Sequence, residues 1–88
     1  HQFKEDQIAY VCQEMLFGIR HLHRNNIAHR DLKSANVMLT VDGQVKLIDF
    51  GLCCDMSEGE QVHMVGSPFW IPPEMVRREP HGLAVDVW

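Results

Sequence analysis

The chain has 88 residues, 12 acidic and 8 basic, for a formal charge of -4, a balance that argues against nucleic acid or an anionic lipid surface as a main partner. Apolar residues make up 45%, ordinary for a globular piece. No apolar run approaches the ~18 residues of a membrane span, and no signal-peptide pattern is visible. The 3 cysteines, Cys12, Cys53 and Cys54, cannot all pair, and neighbours rarely bridge each other, so a reducing cytoplasmic or nuclear setting fits better than a disulfide framework.

Residues 5 to 25 read as a helix. Ile8, Cys12, Met15, Ile19 and Leu22 recur at spacings of three and four, widened by Val11 and Leu16. Glu5 and Asp6 suit its N-terminus, Arg20 and Arg24 its C-terminal end. Asn25-Asn26 supplies a stop. The stripe predicts a buried core helix without chemistry of its own. His21 and His23 lie near its end, but neither CxxC nor HExxH spacing supports a metal site there.

Ile27-Ala28 is a short apolar step into His29-Arg30-Asp31-Leu32-Lys33-Ser34-Ala35-Asn36. This polar loop gathers a carboxylate, two cations and a carboxamide. Residues 37–40 and 45–48 are β-rich runs around Asp42-Gly43, which reads as a hairpin with a two-residue type I′ turn. That register sets Asn36 opposite Asp49, roughly 4.5–5.5 Å apart at Cα and beside Asp31. A longer loop would shift the register by one residue and keep the two ends close. Hard oxygen ligands converging without cysteine or histidine suit Mg²⁺ rather than zinc. Taken alone, Asn36 and Asp49 could equally cap or turn the strand ends.

Residues 51 to 67 are polar and Gly-flanked, and read as a mobile loop. From 68 to 73, three prolines and two aromatics predict a rigid, irregular wall, because proline fixes φ and restricts its predecessor. Residues 74 to 78 suggest a short helix, ended by Glu79-Pro80-His81-Gly82. Leu83 to Trp88 reads as the start of a buried helix.

Four landmarks now stand in order: His29 to Asn36, Asp49-Phe50-Gly51, Gly66-Ser67-Pro68-Phe69-Trp70-Ile71-Pro72-Pro73-Glu74, and Asp86-Val87-Trp88. Together they resemble the middle of a eukaryotic protein kinase domain, over essentially the whole chain. The resemblance implies an α+β, protein kinase-like fold. Residues 1–88 would be a partial kinase domain: the central part of the mainly helical C-terminal lobe, with a short β-hairpin at the cleft. It runs from the helix before the catalytic loop, through the activation segment, to the start of the next buried helix. By themselves the 88 residues are expected to be inactive.

The resemblance also implies roles. Asp31 looks like the catalytic base, Lys33 like the lysine that steadies the transferring phosphate of ATP. Asn36 and Asp49 look like Mg²⁺ ligands. His29 would be structural, packing near Phe50, and Asp86 would receive backbone N–H groups from the catalytic loop. Arg30 is the residue that would pair with an activating phosphate. Ser67, Phe69 and Trp70 would shape the pocket around the target residue, with Ser67 bonding Asp31 and Lys33. Lys33 and the segment from Gly66 to Trp70 point to serine/threonine rather than tyrosine substrates.

Among subfamilies the chain looks most like the Ste20 group, and within it the p21-activated kinases; small-GTPase regulation of the parent protein is implied by that resemblance only. It departs from the pattern in three places. Ala35 stands where those kinases usually carry aspartate, which puts a preference for basic substrates in doubt. Pro72 replaces the alanine of Ala-Pro-Glu. His63 occupies the position of the activating threonine, and Ser57 is the only hydroxyl side chain between Gly51 and Gly66. The expectation is therefore a kinase not switched by the usual activation-loop phosphate, with Arg30 paired to Glu58 or Glu60 instead, or with control exerted elsewhere in the enzyme. The rival reading is a pseudokinase that acts as a binding scaffold.

Overall fold

The computed structural model describes residues 3–88. Its longest element is helix α1, Glu5–Arg24. The Gln7 side chain accepts the Lys4 backbone N–H at 2.8 Å, which satisfies one orphan donor at the start. At the other end the backbone N–H of Asn25 reaches Leu22 and that of Asn26 reaches His23, both at 3.0 Å. Asn26 turns the chain out at φ 59, a conformation asparagine tolerates. The predicted stop is thus where the helix ends.

Strand β1, Ile27–Ala28, follows at once. A single 3₁₀ turn, Ser34–Asn36, leads into strand β2, Val37–Leu39, and then strand β3, Val45–Leu47. β2 and β3 form an antiparallel pair in which Val37 faces Leu47 and Leu39 faces Val45. The register differs by one residue from the sequence expectation. Thr40 pairs with Gln44 and leaves Val41, Asp42 and Gly43 as a three-residue loop. The Thr40 hydroxyl explains the extra residue: it accepts the Gln44 N–H at 2.9 Å and bonds the Asp42 carboxylate. Gly43 takes the left-handed conformation at φ 87 that such a loop requires. Asn36 consequently sits opposite Ile48, whose N–H it accepts at 2.9 Å, and Asp49 comes one residue later.

The segment read as a mobile loop is tied down at two places. Strand β4, Cys54–Asp55, pairs antiparallel with β1. Gln61 and His81 form an isolated bridge with both backbone bonds present, at 2.9 and 2.7 Å. A two-residue strand and a single bridge leave no periodic trace in the sequence. Pro68–Trp70 makes a 3₁₀ turn, and helix α2, Pro73–Val76, is one turn long. Leu83–Asp86 is a 3₁₀ turn rather than the expected buried helix: Val85 is buried, while Val87 and Trp88 are exposed.

Two layers result. α1 lies against the hairpin, close enough that a Cβ on Gly18 would meet Leu47 Cδ1 at 3.2 Å. The Tyr10 hydroxyl donates to the Gly43 carbonyl at 2.7 Å and fixes the helix to the turn. On the other side, Ala28, Met75 and Val85 form the buried core, flanked by Met56, Val65, Ile71 and Leu83. The expectation of a buried α1 is corrected: none of its described side chains is buried. Only part of the stripe meets β1 and β3. Ile8, Val11, Cys12 and Met15 instead line an open hollow of about 530 Å³ shared with Val37 and Trp88, which no second layer fills among the described residues. Architecture and connectivity are those of an α+β unit, a helix beside separate antiparallel pairs.

Candidate active site

The polar loop after β1 is held by a carboxylate far along the chain. Asp86 Oδ2 accepts the His29 backbone N–H at 2.8 Å, and Oδ1 accepts that of Arg30 at 2.9 Å. The His23 ring donates to the same carboxylate at 2.8 Å, and the Asp86 side chain is 1% exposed. Charge-assisted bonds of this kind are the strong ones. They hold Arg30 at φ 70, a conformation a side chain makes costly by roughly 1–3 kcal/mol. His23, which offered no metal spacing in the sequence, works here as a clamp on Asp86.

His29 is fully buried and links three parts of the site. Its Nδ1 accepts the Asp31 backbone N–H at 3.1 Å, and Nε2 faces the Ile48 carbonyl at 3.0 Å. An acceptor at Nδ1 and a carbonyl at Nε2 require the tautomer with hydrogen on Nε2. The ring meets Phe50 edge-on, centroids 5.2 Å apart. His29 therefore couples the loop to the end of β3 and to the Asp49-Phe50-Gly51 turn, the structural part expected of it.

Four of the predicted site residues converge directly. Ser67 Oγ donates to Asp31 Oδ1 at 2.9 Å and accepts from Lys33 Nζ. The Asn36 amide nitrogen donates to the Asp31 carbonyl at 2.8 Å and to its Oδ2 at 3.3 Å. Asn36 is nearly fully buried, so this orientation is fixed. Lys33 Nζ also stands 5.9 Å from the centre of the Trp70 ring, within cation–π range. Trp70 and Phe69 meet edge-on at 6.2 Å, and Phe69 is 92% exposed. The exposed Phe69 ring thus adjoins Trp70, which itself stands beside Lys33.

Asp49 is not part of that direct cluster. It is exposed, sits at φ 59, and its carboxylate takes one long hydrogen bond, 3.4 Å, from the Gly51 N–H. The β3 end places it one residue beyond Ile48, which faces Asn36. Asn36 spends its N–H donors on Asp31, which leaves Oδ1 as its only acceptor. The donor set offered to a cation is thus a carboxamide oxygen and an uncommitted carboxylate. Among the described residues no three His, Cys, Asp or Glu side chains gather into a cage. Such a sparse, all-oxygen set fits Mg²⁺, which is bound by one or two carboxylates plus phosphate oxygens.

Arg30 does not meet Glu58 or Glu60 as expected. Its Nε donates to the Leu52 carbonyl at 2.8 Å and its Nη1 approaches His81 Nε2 at 3.3 Å. His81 stood in the sequence only as part of a helix-breaking tetrapeptide. An arginine paired with a histidine leaves no charge pattern to find, so this partner was out of reach of sequence reasoning. Glu60 lies nearby, its Oε2 3.6 Å from where a Cβ on Gly82 would stand.

The fold thus holds a carboxylate beside a lysine, a carboxamide and a hydroxyl, with a second carboxylate just beyond the adjoining strand. A family model described as the protein kinase domain matches residues 1–88. The chain belongs to the protein kinase family. Among its relatives, the probable serine/threonine-protein kinase mkcC of Dictyostelium discoideum is 54% identical over 88 residues, covering 100% of this chain and 10% of that protein. The probable serine/threonine-protein kinase mkcD of the same organism is 58% identical over 88 residues, 99% of this chain and 14% of the relative. The serine/threonine-protein kinase shk1/pak1 of Schizosaccharomyces pombe is 49% identical over 86 residues, 96% of this chain and 13% of the relative. The chain thus spans between 10% and 14% of the length of these curated relatives.

Proposed function

We propose that the protein containing this chain transfers a phosphoryl group from ATP to serine or threonine hydroxyls of proteins. Residues 1–88 would be the central part of the larger, mainly helical kinase lobe, with the β2–β3 hairpin at the cleft. The observation that carries the reading is the bonded set Asp31, Ser67, Lys33 and Asn36. In it Asp31 has one carboxylate oxygen on Ser67 and the other on Asn36, so its direction is fixed before any substrate arrives.

Asp31 orients the acceptor hydroxyl and takes its proton. Lys33 stands one hydroxyl away from Asp31, where its ammonium can meet phosphate charge as it develops. Asn36 and Asp49 would hold Mg²⁺, which when bound would neutralise the charge of the phosphate. Ser67, Phe69 and Trp70 form the floor and wall on which the acceptor chain lies. Serine/threonine specificity is supported by the names of the relatives and by Lys33.

The test is transfer from labelled ATP to protein serine and threonine by the intact protein, beside Asp31→Asn and Asp49→Ala. Transfer that both substitutions abolish supports the reading. A wild-type protein that binds partners but transfers nothing across a range of Mg²⁺ and substrates would support the scaffold reading instead.

A further inference from the structure

His81 is an unusual residue to find where it is. It is 2% exposed, on the loop between α2 and the last 3₁₀ turn, and its Nε2 faces the Arg30 guanidinium at 3.3 Å. A guanidinium has only donors, so Nε2 must accept and the ring hydrogen must lie on Nδ1. That Nδ1 is buried and has no hydrogen-bond partner. The fold thus keeps a histidine in one tautomer, with an orphaned donor, to give Arg30 an uncharged acceptor. Buried polar atoms left unpaired are rare and call for an explanation.

The explanation lies in what Arg30 does. It precedes Asp31 and is held at positive φ. Three bonds fix it: its backbone N–H to Asp86, its Nε to the Leu52 carbonyl, and its Nη1 to His81. The His81 backbone in turn is bridged to Gln61 on both sides. Arg30 thus holds the segment after the Asp49-Phe50-Gly51 turn directly at Leu52, and through His81 it holds the loop after α2 together with Gln61.

We propose that His81 is a positioning residue for the catalytic loop, and that its contact with Arg30, available only to the neutral ring, makes assembly of the site sensitive to acid. This rests on the kinase reading of the same site. Protonation would place a second cation against Arg30 and remove the acceptor. The groups facing the ring are Arg30 from the catalytic loop, Glu60 and His63 from the segment before Ser67, and Glu74 from α2. Burial and then Arg30 and His63 oppose the charged ring, while Glu74 and Glu60 favour it; the net effect is a pKa below the ordinary 6.5. The two carboxylates give a protonated ring somewhere to turn once it leaves Arg30. Two arrangements of one side chain, one on Arg30 and one on the carboxylates, are the ingredients of a switch.

The experiment uses the intact protein, wild type, His81→Gln and His81→Phe, with transfer rates from pH 5.5 to 8.5. Nitrogen-resolved NMR of the histidine side chains runs in parallel. Glutamine keeps an acceptor that does not titrate; phenylalanine keeps bulk and loses the acceptor. The expected result is a wild-type rate that falls about tenfold further than that of His81→Gln at the acid end. His81→Phe should be slow at every pH with melting within a few degrees of wild type. The NMR should show hydrogen on Nδ1 and a midpoint below 6.5. Equal acid limbs in wild type and His81→Gln, or a ring that titrates at or above 6.5, would overturn the proposal. Absence of transfer from wild type at any pH would sink the kinase reading, while the NMR tautomer and midpoint would still decide the Arg30 contact.

Discussion

Asp86 accepts the backbone N–H of Arg30 at 2.9 Å although the two residues lie 56 positions apart. With the bonds from His29 and His23, it makes the last described turn of the chain the support for the loop beside α1. Replacing Asp86 with Asn keeps the shape and removes the charge. Two backbone donors would then face a weaker acceptor or an amide N–H. Asp86→Asn should destabilise the intact protein by about 3 kcal/mol, read as a shift of the denaturant midpoint. A loss under about 1 kcal/mol would mean that the loop is held by something else.

Ser67 stands between the two charged groups of the site. Ser67→Ala leaves Lys33 and Asp31 without their bridging hydroxyl, and each such bond to a charged group contributes about 1.5–3 kcal/mol. The transfer rate should fall roughly 10- to 100-fold, and the intact protein should lose about 1.5–3 kcal/mol of stability. Ser67→Thr retains the hydroxyl and should keep the rate within about threefold. Equal rates for all three proteins would remove Ser67 from the site.

Gly66 carries the chain past Arg30 at φ 119, and a Cβ there would come within 2.9 Å of the Arg30 carbonyl oxygen. Gly59 has a nearly identical φ of 121 but open space around it. Gly59→Ala should show the cost of the backbone conformation alone, about 1 kcal/mol. Gly66→Ala adds a collision with rigid backbone and should cost about 2 kcal/mol more, with transfer lost as Asp31 moves. Equal effects of the two substitutions on melting would show that the close approach is not rigid.

The polar loop from His29 to Asn36 was legible because its charged and amide groups are contiguous. Asp31, Lys33 and Asn36 occur within one polar stretch; the short spacing lets Asn36 bond Asp31 directly, whereas Lys33 reaches Asp31 only through Ser67, 34 positions further on. α1 was legible from its stripe and its Asn25-Asn26 stop. The hairpin was found, but its register depended on the Thr40 hydroxyl competing for the turn, a local bond that propensity does not reveal. The burial of α1 was misjudged because an apolar stripe records what a helix can cover, not what lies against it. The Arg30–His81 contact joins residues 51 positions apart with no opposite charges to suggest it.

Ser57 is the one hydroxyl available for modification in the segment between Gly51 and Gly66. Its backbone N–H donates to Asp55 Oδ1 at 2.8 Å, and bonds to Ser57 hold the Asp55 carboxyl below its ordinary pKa. A phosphate on Ser57 would face that carboxylate with like charge. Ser57→Ala should therefore leave the transfer rate within about twofold of wild type, measured on protein purified without phosphatase treatment. Loss of activity in Ser57→Ala together with a mapped phosphate at Ser57 would show that the segment is switched there after all.

Nucleotide affinity measured beside transfer separates the two carboxylates most directly. Asp31 is bonded to Ser67 and Asn36, whereas Asp49 stands exposed with its carboxylate nearly free. Asp31→Asn should bind ATP with Mg²⁺ at close to wild-type affinity and lose transfer by about a thousandfold or more. Asp49→Ala should lose both, and its nucleotide binding should no longer depend on Mg²⁺. Transfer by Asp31→Asn at a rate near wild type, or Mg²⁺-dependent ATP binding that survives Asp49→Ala unchanged, would contradict the assignment of this site.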